Sequence, residues 1–186
     1  ASLLALGTSA MAIDVQPFVG AGAGVSWNKS EATATIGAVS ASESDRNSSA
    51  SLILKGGAIL DGSHRLSLNY APSFHSDANV HNVMAGYDYL IPLNDKNKLY
   101  VGAHAGVSSF KGKDEISDYS MSGFAYGAQA GYIYDITKNI EFEFGLNYTR
   151  HDVEKTYSYR NGSDWGNVKA ELDYSIGTMV GINYKF

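Results

Sequence analysis

Residues 170–186 decide the fold, and they read Ala-Glu-Leu-Asp-Tyr-Ser-Ile-Gly-Thr-Met-Val-Gly-Ile-Asn-Tyr-Lys-Phe. Apart from Thr178, every second residue from Ala170 to Phe186 is apolar or aromatic, and the residues between them are charged, polar or small, with Met179 as the exception. Side chains of a strand alternate between two faces, so this segment has one apolar and one polar face. It is far longer than a usual strand. A tilted strand needs only roughly 9–11 residues to cross a bilayer, so the segment predicts a strand of a membrane β-barrel.

Seven further segments show the same two-residue alternation. They are 15–27, 51–60, 65–74, 82–91, 99–108, 124–135 and 140–149. With the last segment they predict an all-β fold of eight antiparallel strands.

The connections between these segments alternate between short and long. Three are short and turn-like: 61–64, 92–98 and 137–139. Four are longer and polar, and we predict them to be loops: 28–49, 75–81, 111–120 and 151–166. Short turns on one side and long loops on the other are typical of transmembrane barrels. The pattern predicts up-and-down topology, with both chain ends on the side of the short turns.

Composition supports this class and excludes others. The 186 residues fit one domain, and 44% hydrophobic residues exclude disorder. The absence of cysteine excludes disulfides and thiolate chemistry, and the net charge of −5 argues against a nucleic-acid partner. No metal-ligand spacing, phosphate loop or nucleotide fingerprint occurs, so we expect no cofactor and no metal site.

The N-terminal residues differ from the rest. Residues 3–6 are apolar, and Ala10-Met11-Ala12 is similar to a signal-peptidase cleavage site. We therefore predict that residues 1–12 are a residual signal peptide and that residues 13–186 form the barrel. The alternative is an unstructured N-terminal tail.

Three segments carry a family resemblance. Residues 19–25 and 101–107 are glycine-punctuated strands, and residues 179–186 have a glycine followed by aromatics at alternate positions, ending in Phe. The chain resembles the eight-stranded outer-membrane β-barrel superfamily, which includes the OmpA transmembrane domain, OmpX and the neisserial surface proteins. The resemblance implies the outer membrane of a Gram-negative bacterium, in contact with its lipid and lipopolysaccharide. It also implies that Gly181, Tyr184 and Phe186 form the signal read by the barrel assembly machinery; Met179 departs from that pattern.

Aromatic residues lie near the ends of the predicted strands. Two bands of aromatic side chains are typical of the two membrane–water boundaries of such a barrel. The alternative is the ordinary aromatic core of a soluble β-protein. The predicted girdle residues are Trp27, Tyr87, Tyr89, Tyr132, Tyr134 and Tyr148.

Charged residues on the inward parity are the candidate functional residues. We expect Lys55 and Arg65 to pair with the carboxylates of Glu141, Glu143 and Glu171 across the lumen, because unpaired buried charges are costly. One interpretation is a plug that holds the barrel together. The other, which the resemblance to the OmpA barrel suggests, is the gate of a narrow ion pathway. The predicted lumen charge cluster is Lys55, Arg65, Asp88, Glu141, Glu143, Lys169 and Glu171.

Enzymatic outer-membrane barrels are a further alternative. His75, Ser76, Asp77 and His81 lie together in one predicted loop, and His151 opens another. Clustering in sequence is weak support for a triad, which requires three-dimensional geometry. We therefore expect no enzyme and no catalytic residues.

The predicted function is a monomeric surface barrel with a structural role and narrow-pore activity. The alternative is an adhesin or immune-evasion protein that binds a host ligand through its loops. The least favoured hypothesis is an enzyme acting on lipid A. Loops 28–49, 111–118 and 152–164 would carry host binding.

Overall fold

The computed structural model describes residues 13–36, 39–74, 78–112, 120–161 and 164–186 as one closed antiparallel barrel of eight strands. Each strand pairs with the next in the chain, and β1 also pairs with β8. The predicted fold class is confirmed. Within the described ranges no helix is long and apolar enough to cross a membrane. The strands are β1 Val15–Ile36, β2 Val39–Leu60, β3 His64–Phe74, β4 Ala78–Pro92, β5 Asn97–Gly112, β6 Ser120–Asp135, β7 Ile140–Asn161 and β8 Asp164–Lys185.

The barrel is apolar outside and polar inside, as the two-residue alternation predicts. Val19, Leu68 and Val101 on the outer face are each more than half exposed. The inner face carries charged and polar side chains together with one small apolar cluster near the short turns. An apolar exterior of this kind is stable in hydrocarbon rather than in water. The apolar cluster inside consists of Phe18, Ile59, Leu90, Tyr100 and Ile133.

Four strands extend well beyond the others. β1, β2, β7 and β8 each have 22 residues, whereas β3 has 11 and β4 has 15. β2 pairs with β3 only as far as Ser51, and β7 pairs with β6 only as far as Asp152. Beyond those residues β2, β1, β8 and β7 continue as a four-stranded sheet, which we call the outer sheet.

Two of the predicted loops are wrong, because most of their residues belong to strands of the outer sheet. Most of 28–49 is a hairpin in which β1 and β2 stay paired up to Ile36 and Val39, and most of 151–166 is a second hairpin. Ser, Ala and Thr recur at both odd and even positions of the first hairpin, so the backbone ladder forms without the apolar alternation that marks a membrane strand. Of the predicted signal peptide and the other two long loops, residues 1–12, 75–77 and 113–119 lie outside the described ranges.

The turn between β2 and β3 depends on a left-handed backbone. Asp61 has φ 49° and Gly62 has φ 66°, which matches the Asp-Gly turns that join twisted antiparallel strands. The Asp61 amide also donates to the carbonyl of Asp14 at 2.9 Å, and the Asp14 amide donates to Oδ1 of Asp61 at 3.1 Å. The turn therefore fixes Asp14, which lies just before β1, against the end of β2.

Gly62→Ala should destabilise the barrel, because an L-residue in the left-handed region costs about 1 kcal/mol. No atom lies within 4 Å of a Cβ added at Gly62, so the cost is one of backbone conformation alone. Gly56→Ala is the matched control, since a Cβ there meets only the Phe18 carbonyl at 3.8 Å. The free energy of unfolding in urea, measured in lipid vesicles, should fall for the first variant only. Equal losses would contradict this account of the turn.

Candidate functional site in the barrel lumen

Arg65 is the residue around which the charged groups of the lumen are arranged. It lies on β3 with no solvent exposure. Its Nη1 and Nη2 donate to the two carboxylate oxygens of Glu143 at 3.1 and 3.0 Å, and its Nε donates to Oδ2 of Asp88 at 2.9 Å. The guanidinium carbon lies 4.6 Å from the ring centroid of Tyr100. Arg65 is therefore held at its edge by two carboxylates and on its face by an aromatic ring, the geometry in which Arg binds most strongly.

Glu143 is shared by two cations. Besides Arg65 it accepts from Nζ of Lys55 at 2.8 and 2.9 Å, and from Nδ2 of Asn183 at 2.8 Å. Lys55, Arg65, Asp88 and Glu143 form what we call the inner ion cluster, with two positive and two negative charges. The cluster has no net charge, so its members compensate one another.

Further side chains complete the hydrogen bonds of the inner ion cluster. Asp88 is the register partner of Arg65 on the adjacent strand, and its second oxygen accepts from Nε2 of Gln129 at 2.6 Å. Arg65, Asp88 and Glu143 have no exposed surface. Buried charges are tolerated only when they are paired and fully hydrogen-bonded, a condition that this arrangement meets.

A second group of charges lies beside the short turns. Nζ of Lys98 is 2.6 Å from Oδ2 of Asp135, and Lys185 contacts both Asp135 and Oε2 of Glu141, the latter at 3.3 Å. These four residues form the rim ion cluster, which again has two positive and two negative charges. Asn183 joins the two clusters by donating to Glu141 at 3.0 Å as well as to Glu143.

Farther from the short turns, the described side chains of the lumen include histidines that hydrogen-bond to hydroxyl groups. Nε2 of His104 is 2.9 Å from Oγ1 of Thr149, and the two ring nitrogens of His151 are 3.2 and 3.0 Å from the hydroxyls of Ser108 and Ser175. Sequence analysis did not select His104 and predicted His151 in a loop. The inward parity of His104 on the fifth segment is the signal that identifies it.

The structure brings together part of the predicted charge cluster. Lys55, Arg65, Asp88 and Glu143 meet in the inner ion cluster. Glu141 instead contacts Lys185 in the rim ion cluster. The side chains of the last two predicted members, Lys169 and Glu171, lie outside the described part of the chain. Six further residues on the inward parity contribute to the two clusters but are not in the predicted charge cluster: Lys98, Tyr100, Gln129, Asp135, Asn183 and Lys185.

The predicted girdle residues lie on the outer surface in two groups. Tyr87, Tyr89, Tyr132 and Tyr134 are close to the short turns, whereas Trp27 and Tyr148 lie towards the outer sheet. Five of the six are well exposed; Tyr132 is less so, and its hydroxyl donates to Asn97. Their role at membrane boundaries stays a prediction.

The predicted assembly signal lies where the barrel closes. Tyr184 and Phe186 are on the outer face, with their rings edge to face at 5.2 Å. Gly181 faces Gly22 of β1, and a Cβ there would come within 3.0 Å of the Ala21 carbonyl. Recognition by the assembly machinery stays a prediction.

An eight-stranded antiparallel barrel with an apolar exterior and a polar, side-chain-filled interior defines the class of small transmembrane β-barrels. Within the described residues no group of three His, Asp or Glu side chains is placed to hold a metal ion.

Solved structures that are similar in fold include the following three. Neisserial surface protein A is 18% identical, with 88% of this chain and 97% of that chain covered and a TM-score of 0.58. Outer membrane protein OprG from Pseudomonas aeruginosa is 16% identical, with 91% and 95% covered and a TM-score of 0.59. Outer membrane protein H (OprH) from the same organism is 22% identical, with 91% and 99% covered and a TM-score of 0.53. No known family profile and no curated protein matches the chain.

Glu143→Gln should lower the free energy of unfolding by about 3–5 kcal/mol, because it leaves Lys55 and Arg65 without a shared counter-ion in a buried site. Asp173→Asn is the matched control. It breaks a pair with Lys29 in which both side chains are about a third exposed, and such pairs contribute about 1 kcal/mol or less. Urea titration of both variants in the same vesicles measures the difference. Similar losses would show that the inner ion cluster adds nothing beyond a surface pair.

Proposed function

We propose that the chain is an outer-membrane surface protein of a Gram-negative bacterium, with a structural role and a lumen closed by the inner ion cluster. The observation that carries the proposal is the complete burial of Arg65, Asp88 and Glu143 across the barrel. The apolar exterior supports a membrane location, and the structural neighbours OprG and OprH are outer-membrane proteins.

Two adjoining groups of side chains support a closed lumen, since Arg65 of the first lies against the rings of Phe18 and Tyr100 of the second. The first is the inner ion cluster, whose side chains reach inward from β2, β3, β4 and β7. The second is the apolar cluster around Phe18, Leu90 and Ile133, each at most 1% exposed. An ion on this path would have to lose its water and displace paired charges, which is costly in a low-dielectric interior.

Purified wild-type protein in planar lipid bilayers should give no channel openings above background. The double variant Arg65→Ala/Glu143→Ala removes one positive and one negative charge and opens the centre of the lumen, so it should give steady openings. Single-channel recording under constant voltage measures both, with Asp173→Asn as a surface control. Wild-type openings as large as those of the double variant would contradict a closed lumen.

A gated narrow pore is the second candidate function. The sharing of Glu143 by Lys55 and Arg65 favours it, since one cation can leave while the other keeps the carboxylate paired. In that case wild-type protein would show brief openings, and Lys55→Met would change their frequency. The same recordings therefore separate the pore from the closed barrel.

Binding of a host ligand is the third candidate, and the outer sheet favours it. Hairpins β1–β2 and β7–β8 extend beyond the neighbouring strands and offer a surface away from the membrane. Adhesion of a heterologous bacterium that expresses the chain tests this. It should be lost when the tips of both hairpins are shortened while the barrel is still folded at the surface.

We also propose that the chain is not an enzyme. Of the histidines considered for catalysis, His81 contacts Tyr70 on the outer face at 2.8 Å, whereas His151 lies inside the lumen. They face opposite sides of the barrel wall and do not share a site. An altered lipid A mass spectrum after overexpression, or peptide cleavage by the purified protein, would overturn this proposal.

A further inference from the structure

Three side chains with nitrogen or sulfur donor atoms lie in the lumen outside both ion clusters. They are Met84 on β4, His104 on β5 and His151 on β7. His104 is 8% exposed, and the other two are half-buried. Asp88 of the inner ion cluster pairs with Gly102, which is two residues nearer the short turns than His104. The three side chains, which we call the His–Met group, therefore lie on the outer-sheet side of the inner ion cluster.

Strand register places the His–Met group on two neighbouring rows of the inner face. In the second row, His104 pairs with Gly127, and Gly127 pairs with Thr149. Cross-strand partners project from the same face, and residues i and i+2 of a strand are about 7 Å apart, so the two rows are direct neighbours. The first row consists of Met84, Gly106, Ala125 and His151.

Small residues leave the space that these side chains occupy. The sulfur of Met84 is 2.9 Å from the place that a Cβ would take at Gly106, the residue two positions from His104 on β5. Nε2 of His104 is likewise 2.9 Å from the place of a Cβ at Gly127. The sulfur therefore lies above β5, beside the ring of His104 and on the row that ends at His151.

His104 has a buried nitrogen without a partner. Its Nε2 is 2.9 Å from Oγ1 of Thr149, whereas its Nδ1 has no hydrogen-bond partner among the described residues. With Nε2 donating to Thr149, Nδ1 presents an unprotonated lone pair to the lumen. A buried polar atom without a partner is costly, so this nitrogen points to a ligand.

His151 is oriented by two hydroxyl groups. Its Nε2 is 3.0 Å from Oγ of Ser175, and its Nδ1 is 3.2 Å from Oγ of Ser108 on β5. With Nε2 donating to Ser175, Nδ1 faces β5, where His104 and the sulfur of Met84 lie. A hydrogen bond of this kind from the second nitrogen fixes the ring of a metal-binding histidine.

The donor atoms and the surrounding charges favour a soft ion of low charge. Thioether sulfur selects Cu(I), and imidazole also binds copper, whereas Mg²⁺ and Ca²⁺ require oxygen ligands. The charges of the inner ion cluster already compensate one another, as in the pairs of Arg65 with Asp88 and of Lys55 with Glu143. A monovalent ion adds the smallest uncompensated charge to this low-dielectric interior.

We propose that the His–Met group binds a single Cu(I) ion through the sulfur of Met84 and the Nδ1 atoms of His104 and His151. An ion reaches the site from the outer-sheet end, where Met84 and His151 are half-buried rather than closed off. The site adds metal capture to the structural role proposed above and does not depend on it, because the ion need not cross the inner ion cluster.

Silver(I) is a suitable probe, because it has the charge and ligand preference of Cu(I) and is stable in air. The chain contains four methionines, so methyl NMR of the detergent-folded protein gives four methionine signals, and Met84→Leu identifies that of Met84. In chloride-free buffer, Ag(I) should shift the Met84 signal until the protein has bound a single ion. The signal of Met179, which lies against Gly145, should stay unchanged.

Competition with a chromogenic Cu(I) chelator under anaerobic conditions measures the affinity for copper itself. Met84→Leu should weaken it on the order of tenfold or more, since loss of even an outer-shell partner costs that much. Met179→Leu is the matched control, and it should leave the affinity unchanged. Ser175→Ala should weaken binding by about tenfold, because it frees the ring of His151.

The histidines have a matched control on the outer wall. His104→Gln/His151→Gln should abolish binding of Ag(I) and Cu(I). His64→Gln/His81→Gln removes two imidazoles that hydrogen-bond to Tyr87 and Tyr70, and it should leave binding unchanged.

Unchanged affinity in Met84→Leu would overturn the proposal, as would Ag(I) shifts spread over all methionines without preference for Met84. Displacement of Ag(I) by an excess of Zn²⁺ would show that the histidines alone select a divalent ion, and would also overturn it. Circular dichroism must show that every variant has folded. Leu and Met have similar volumes, so Met84→Leu tests the site even where a histidine variant does not fold.

Discussion

The structure depends on the pairing of β1 with β8, because a sheet that crosses hydrocarbon can leave no backbone edge unpaired. The ladder runs from Phe18 opposite Lys185 to Ile36 opposite Gly166, with one irregularity next to Lys29. Closure with eight strands sets a narrow interior. The narrow interior in turn forces side chains to fill the lumen and requires glycine where they crowd. A Cβ at Gly131, for example, would lie 2.5 Å from the ring of Tyr100.

Closure also explains why the inside carries paired charges. Polar groups cannot face lipid, so they face the lumen, and eight strands leave no room for bulk water to solvate them. The chain meets this constraint with two clusters of balanced charge linked by Asn183. The inner ion cluster is supported by Tyr100, whose ring covers Arg65. The same side chains therefore connect the strands across the lumen and fill its centre.

Alternation alone was enough to predict the barrel, the outward faces and the inward position of Lys55, Arg65 and Glu143. Period-two patterning reports which side a residue faces, but not which residue it meets across the lumen. That is why Glu141 was expected near Lys55 and Arg65, whereas strand register and barrel shear place it beside Lys185. The outer sheet was not predicted, for a different reason. The sequence of its first hairpin has Ser, Ala and Thr at both odd and even positions, and the backbone pairing of β1 with β2 defines the hairpin.

The inner ion cluster brings together strands from the N-terminal and C-terminal halves of the chain, which constrains the order in which the strands can assemble. Lys55, Arg65 and Asp88 come from β2, β3 and β4, so the N-terminal half alone carries one excess positive charge at this level. The counter-ion of this excess charge, Glu143, belongs to β7, and Asn183, which hydrogen-bonds to Glu143, belongs to β8. A partly inserted hairpin array would therefore hold an uncompensated charge within the membrane, which is unfavourable. Charge balance thus disfavours half-built intermediates and couples insertion of the early strands to the arrival of the last ones.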